Sequence, residues 1–120
     1  MEKRIPCLAR VRRVPPHFSW VDHRLVRDGH ISGPGPDALS LYLLLVSVGD
    51  ADGVSWYSPG LLARLLGIEE RRVVRARRVL EERRLIAYDA PFYQVLSLEP
   101  SLNDELARVL AGRPTGGGVS

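Results

Sequence analysis

The chain has one cysteine, Cys7. An intrachain disulfide is therefore excluded, and a reducing compartment fits. A lone thiol in a basic, proline-flanked segment reads as incidental rather than as a nucleophile. Long apolar runs are missing too. The longest, Leu41–Val46, has six residues, far short of the length that crosses a bilayer. The N-terminus is charged and has no apolar core ahead of a small-residue cleavage site, so a cytoplasmic protein without a membrane is expected. Phosphate-cradling glycine loops are also missing: GPGP (33–36) is locked by proline, and the glycine triplet lies near the C-terminal end. His17, His23 and His30 are spaced by six and seven residues, so no pair shares a helical face at i,i+4, and no CxxC accompanies them. No Ser/His/Asp order has a supporting context. These absences point away from an enzyme, with no catalytic residue, cofactor or metal expected.

What the chain has is ordinary core-forming material and unevenly placed arginine. Its 120 residues suit one domain, and its hydrophobic fraction of 45% is that of a globular protein. Net charge is +3, and sixteen of the seventeen basic residues are arginine. Residues 1–13 set five cations against one glutamate, and residues 69–84, EERRVVRARRVLEERR, set seven arginines against four glutamates. The remainder is net −4, so two basic blocks sit on a mildly acidic body, a distribution suited to a polyanionic partner.

Residues 1–17 are basic and punctuated by Pro6, Pro15 and Pro16, which predicts a flexible arm. FSWV (18–21) predicts a short strand, and Asp22 a cap for the brief helix HRLVRD that stops at Gly29. Asp37 is expected to cap the next helix, ALSLYLLLVSVG, ending at Gly49. This helix is apolar nearly all round, so more than one side should be covered, either by its own domain or by a partner subunit. DADG (50–53) is a turn and VSWY (54–57) a short strand. Ser58 and Pro59 then start a helix, with Leu61, Leu62, Leu65 and Leu66 on one apolar face and Gly67 at its end. A helix over 69–84 follows, then a hairpin over 86–98 turning at Asp89–Pro91. Asn103 can cap a short helix within 99–111, and 112–120 is a disordered tail. The domain proper spans 18–98.

A short helix, a glycine turn, a second helix and a hairpin follow one another in that order. The aliphatic first helix, DADG, Trp56, Ser58–Pro59, LARLLGI and the ending LEERRLI carry a more specific likeness. Residues 36–98 resemble the winged helix-turn-helix domains of bacterial and phage DNA-binding proteins, especially the replication-initiator type found on mobile elements. The resemblance implies an α+β, mainly α fold with a C-terminal β-hairpin wing. It implies sequence-specific binding of double-stranded DNA, in transcription regulation or in replication or transposition initiation. Two positions depart from the family pattern: Glu69 stands where Ser or Thr is usual, and Arg84 where Gly is frequent.

With 3.6 residues per turn, Val73, Ala76 and Leu80 form the core face of the second helix, and Arg77 borders it, laying its methylenes on the core. Glu70, Arg71, Val74, Arg75 and Arg78 face the other way. Arg77–Glu81 and Arg78–Glu82 are i,i+4 pairs that neutralise the second half of the helix. Arg71, Arg72 and Arg75 remain less compensated in the first half, which is the half that reaches base edges in helix-turn-helix docking. Arg71 and Arg75 are thus candidates for guanine edges, and Arg72, Arg78 and Arg64 for phosphates. Ser58 either donates to a phosphate or serves as the helix cap. Trp56 and Tyr42 are expected in the core, and Tyr88, Phe92 and Tyr93 to pack the hairpin on the domain or on a second subunit. The wing tip, DAP, has no cation. Together with Glu69 and Glu70, it keeps open an alternative in which the domain is a protein-interaction adaptor. A homodimer is compatible with binding at two half-sites.

Overall fold

The computed structural model describes residues 1–98, 106 and 109–112. Its regular elements are α1 (Arg24–Arg27), α2 (Pro36–Val48), β1 (Val54–Ser55), α3 (Pro59–Leu66), α4 (Glu70–Glu82), β2 (Ile86–Asp89) and β3 (Phe92–Val95). The fold is α+β and mainly α, with one three-stranded antiparallel sheet in the order β1-β3-β2.

Each helix boundary has a local cause. Pro36 occupies the first position of α2, where a missing N–H costs nothing, so the helix starts two residues earlier than expected and Gly35 stands at its cap. Asp37 therefore lies inside the first turn and caps nothing. Ser58 Oγ accepts the Leu61 N–H at 3.2 Å and caps α3. At the other end of α3, Gly67 adopts φ 71°, and its N–H and that of Ile68 both return to the Ala63 carbonyl. Only a residue tolerant of the left-handed region closes a helix this way cheaply, and the reversal brings Ile68 against the core. At α1 the cap position is His23, one residue after the expected Asp22, whose Oδ1 nonetheless accepts the Arg24 N–H at 2.9 Å.

The core lies where α4 crosses α2 and α3. Ala38, Leu41 and Leu45 of α2, Leu62 and Ala63 of α3, and Val73, Ala76 and Leu80 of α4 are buried together, with Leu85, Ile86 and Tyr93 closing the sheet side. In the DADG turn, Asp50 Oδ1 accepts the N–H groups of Asp52 and Val54. Gly53 passes so close to the Val95 carbonyl that a Cβ would stand 2.8 Å from it, and this approach lets β1 pair with β3. The hairpin register sets Tyr88 opposite Tyr93 and Asp89 opposite Phe92.

Several expectations are corrected. FSWV forms no strand: β-prone residues need a neighbouring strand to satisfy their backbone, and among the described residues none runs beside them. Phe18, Trp20 and Val21 are instead exposed on a strap tied to α2 by the Ser19 hydroxyl, which donates to the Ser47 carbonyl. The 18–21 segment lays no strand over α2, yet Leu39, Leu44, Val46 and Val48 are half-buried on the flanks of its buried line Ala38–Leu41–Tyr42–Leu45, and only a narrow strip with Leu43, 61% exposed, is open. Leu61 and Leu65 are likewise exposed on α3, since Leu62 and Ala63 supply its buried face. Residues 1–17 contain one 3₁₀ turn, Leu8–Arg10, and are exposed throughout. Residues 106 and 109–112 are helical, so Gly112 belongs to the helix and not to the expected tail, whereas Asn103 and residues 113–120 lie outside the described residues. No helix among the described residues is long and apolar enough to cross a membrane.

Candidate nucleic-acid interface

The α3–turn–α4 unit is fixed from below by its apolar residues, which determines what it presents outward. Val73, Ala76 and Leu80 point into the core. The residues a third to a half turn away, Arg71, Arg75 and Arg78, are all exposed. Their i, i+4, i+7 spacing places them along one line of the helix, about 10 Å from first to last at 1.5 Å per residue. Arg64, in the last turn of α3, is exposed as well.

The neighbours of these arginines differ. Arg71 Nε lies 3.0 Å from Glu69 Oε2, with both side chains largely in solvent, so the pair is weak and easily exchanged for another anion. Among the described residues Arg75 and Arg78 form no ion pair, and the expected Arg78–Glu82 pair is not made. Arg77–Glu81 does form, at 3.6 Å. Arg77 also behaves as its border position requires. Its side chain is mostly buried and its guanidinium lies 4.3 Å from the centre of the Tyr88 ring. Tyr88 in turn stacks at a tilt on Tyr93, ring centres 4.6 Å apart. Burial pushes the Tyr93 phenol up, against the pull of the Arg77 guanidinium.

Arg72 is already engaged within the fold. Expected to touch phosphate, it is bound in bidentate fashion to Asp37, with Nε to Oδ2 and Nη2 to Oδ1 both at 2.7 Å. Hydrogen bonding from Arg72 holds the Asp37 carboxyl below its ordinary range. The carboxylate released from capping by Pro36 is thus the one that anchors α4 to α2. Ser58 is the cap of α3, and the carboxylate of Glu70 leans over the same helix start, at Gly60. An anion approaching there meets a negative group that already uses the helix dipole.

Trp56 corrects the expectation of a core position. It is 61% exposed, in an edge-to-face contact with Phe92 at 6.1 Å. Sheet alternation explains this: Ser55 pairs with Tyr93 on the inner face, so the next residue must point outward. The inward serine was the available signal, but it was masked by the apolar character of its neighbours. Tyr42 is buried as expected. Among the described residues no three His, Cys, Asp or Glu side chains gather to hold a metal ion.

Comparisons with protein-family models, curated proteins and solved structures return no match. The chain's own geometry is therefore what bears on its function.

Proposed function

We propose that this chain is a winged helix-turn-helix protein that binds double-stranded DNA, with α4 as the helix entering the major groove and the β2–β3 hairpin as its wing. The observation that carries the reading is the exposed line Arg71–Arg75–Arg78 on a helix whose opposite face is locked into the core. A major groove about 12 Å wide admits an α-helix, and arginine reads guanine O6 and N7 with two hydrogen bonds. Arg71 and Arg75, in the leading half of α4, take the base edges. Arg78 and Arg64 take phosphates on either side. Arg72 has no direct contact in this arrangement, and its bond to Asp37 sets the angle at which α4 is presented. The protein serves as a regulator of transcription or as an initiator-type component of replication or transposition.

The test is selection from a random duplex pool, followed by mobility shifts of the recovered site at several salt concentrations. Neutralising about four phosphates gives a log–log salt slope of about −4. Arg71→Ala with Arg75→Ala should remove discrimination between sites, and Arg78→Ala should weaken all sequences alike while shallowing the slope by about 1. Absence of any duplex binding by the wild-type chain would end this reading.

The exposed Trp56–Phe92 pair, beside a wing tip without cations, favours a second reading, an adaptor whose sheet face docks on another protein. Loss of a partner on Trp56→Ala, with no duplex bound, would select it.

A further inference from the structure

Among the described residues, two surfaces with apolar side chains are left open. The first lies between the 18–21 strap and α2. There Trp20, 77% exposed, borders a groove of about 510 Å³ lined by Phe18, Val46 and the edges of Tyr42 and Leu98, together with the charged Asp22, Arg24, Asp50 and Asp52. A second hollow, of about 460 Å³, shares Phe18, Ser19, Val21 and Val46 with the first and reaches Leu43. The second surface is near the C-terminal end. Leu102, Leu106, Val109 and Leu110 recur at i, i+4, i+7 and i+8, the spacing of an apolar helical stripe. Leu106, Val109 and Leu110 lie at helical positions, and each is more than half exposed.

We propose that a second copy of this chain covers both surfaces. The Leu106–Val109–Leu110 stripe of each copy fills the groove between strap and α2 of the other, in a two-fold exchanged dimer. Three observations favour a second copy. Groove and stripe are both open within one protomer, and a symmetric pair closes both with one contact type used twice. The chain runs from the groove margin at Leu98, itself buried, to the stripe through seven residues, which reach at most about 25 Å. Finally, the open strip of α2 carries one large apolar side chain, Leu43, between Ser40 and Ser47. No residue lining the groove belongs to α3 or α4, so the dimer leaves the arginine line free, and the inference stands whether or not α4 binds DNA.

The test uses the full chain with Trp56→Phe, so that Trp20 is the only indole. As concentration rises, light scattering should show the mass climbing from 13.4 kDa towards twice that value, with Trp20 emission shifting to the blue in step. Leu106→Glu with Leu110→Glu should hold the chain monomeric, and so should Trp20→Glu, read by mass alone. All these sites are exposed, so circular dichroism should stay that of the folded chain. An equimolar mixture of the two variants retains one intact stripe and one intact groove, and should associate again, more weakly. A wild-type chain that stays monomeric overturns the proposal. If it does so with Trp20 already blue-shifted, the stripe covers its own groove. Dimerisation that survives either variant also overturns it.

Discussion

Arg72 on α4 and Asp37 in the first turn of α2 form a two-bond ion pair, Nε to Oδ2 and Nη2 to Oδ1, across 35 residues of sequence. Each residue was legible as something else, a phosphate contact and a helix cap. Their pairing makes the inclination of the arginine helix a property of the scaffold. Arg72→Ala and Asp37→Ala should each lower the melting temperature, and the double variant should fall little further than either single one. Asp37→Ala should also weaken duplex binding, although Asp37 bears a charge that DNA repels. If duplex affinity instead rose in Asp37→Ala, Arg72 would be a direct phosphate contact.

Acid should act through two carboxylates. Arg24 holds Asp22 down to about 2, chiefly through its side-chain hydrogen bonds, and Arg72 lowers Asp37 in the same way. Both folded values lie below the unfolded value of 3.8, so their stabilisation is fully present above about pH 4 and is lost as pH falls through the folded values. Melting temperature should therefore decline between about pH 4 and 2, and Asp22→Asn with Asp37→Asn should flatten that decline. An unchanged slope would assign acid sensitivity to other groups.

Arg84 follows α4 with φ 57°, in the left-handed region that favours glycine. Arg84→Gly and Arg84→Ala remove the same side chain, so comparing them isolates the backbone. The glycine variant should be more stable than the alanine variant by about 1 kcal/mol in chemical denaturation. Equal stabilities would show that the bend is held without strain.

Arg77 combines a stacked guanidinium with buried methylenes and the Glu81 pair. Arg77→Ala should cost about 1–2 kcal/mol, and Arg77→Leu less, because leucine keeps the packing against Tyr88. Neither should alter duplex recognition. A selective loss of DNA binding in Arg77→Leu would place this residue outside the scaffold role.

Trp56 and Leu62 contrast an open aromatic with a buried aliphatic residue. Trp56→Ala should cost about 1 kcal/mol or less, since only the Phe92 contact is lost. Leu62→Ala, at the junction of α2, α3 and α4, should cost about 2–5 kcal/mol. Comparable losses at the two sites would mean that Trp56 is covered in solution.

The sequence by itself determined the helix starts at Ser58–Pro59, the stop at Gly67, the inward line Val73–Ala76–Leu80 and the outward arginines opposite it. These depend on helical period, caps and glycine, which act within a few residues. Tertiary structure decided the rest: that Asp37 meets Arg72, that Trp56 faces outward because Ser55 pairs with Tyr93, and that residues 18–21 lie open without a strand beside them. Each of those outcomes depends on what lies across a gap between segments distant in sequence. Local period and propensity carry no information about that gap.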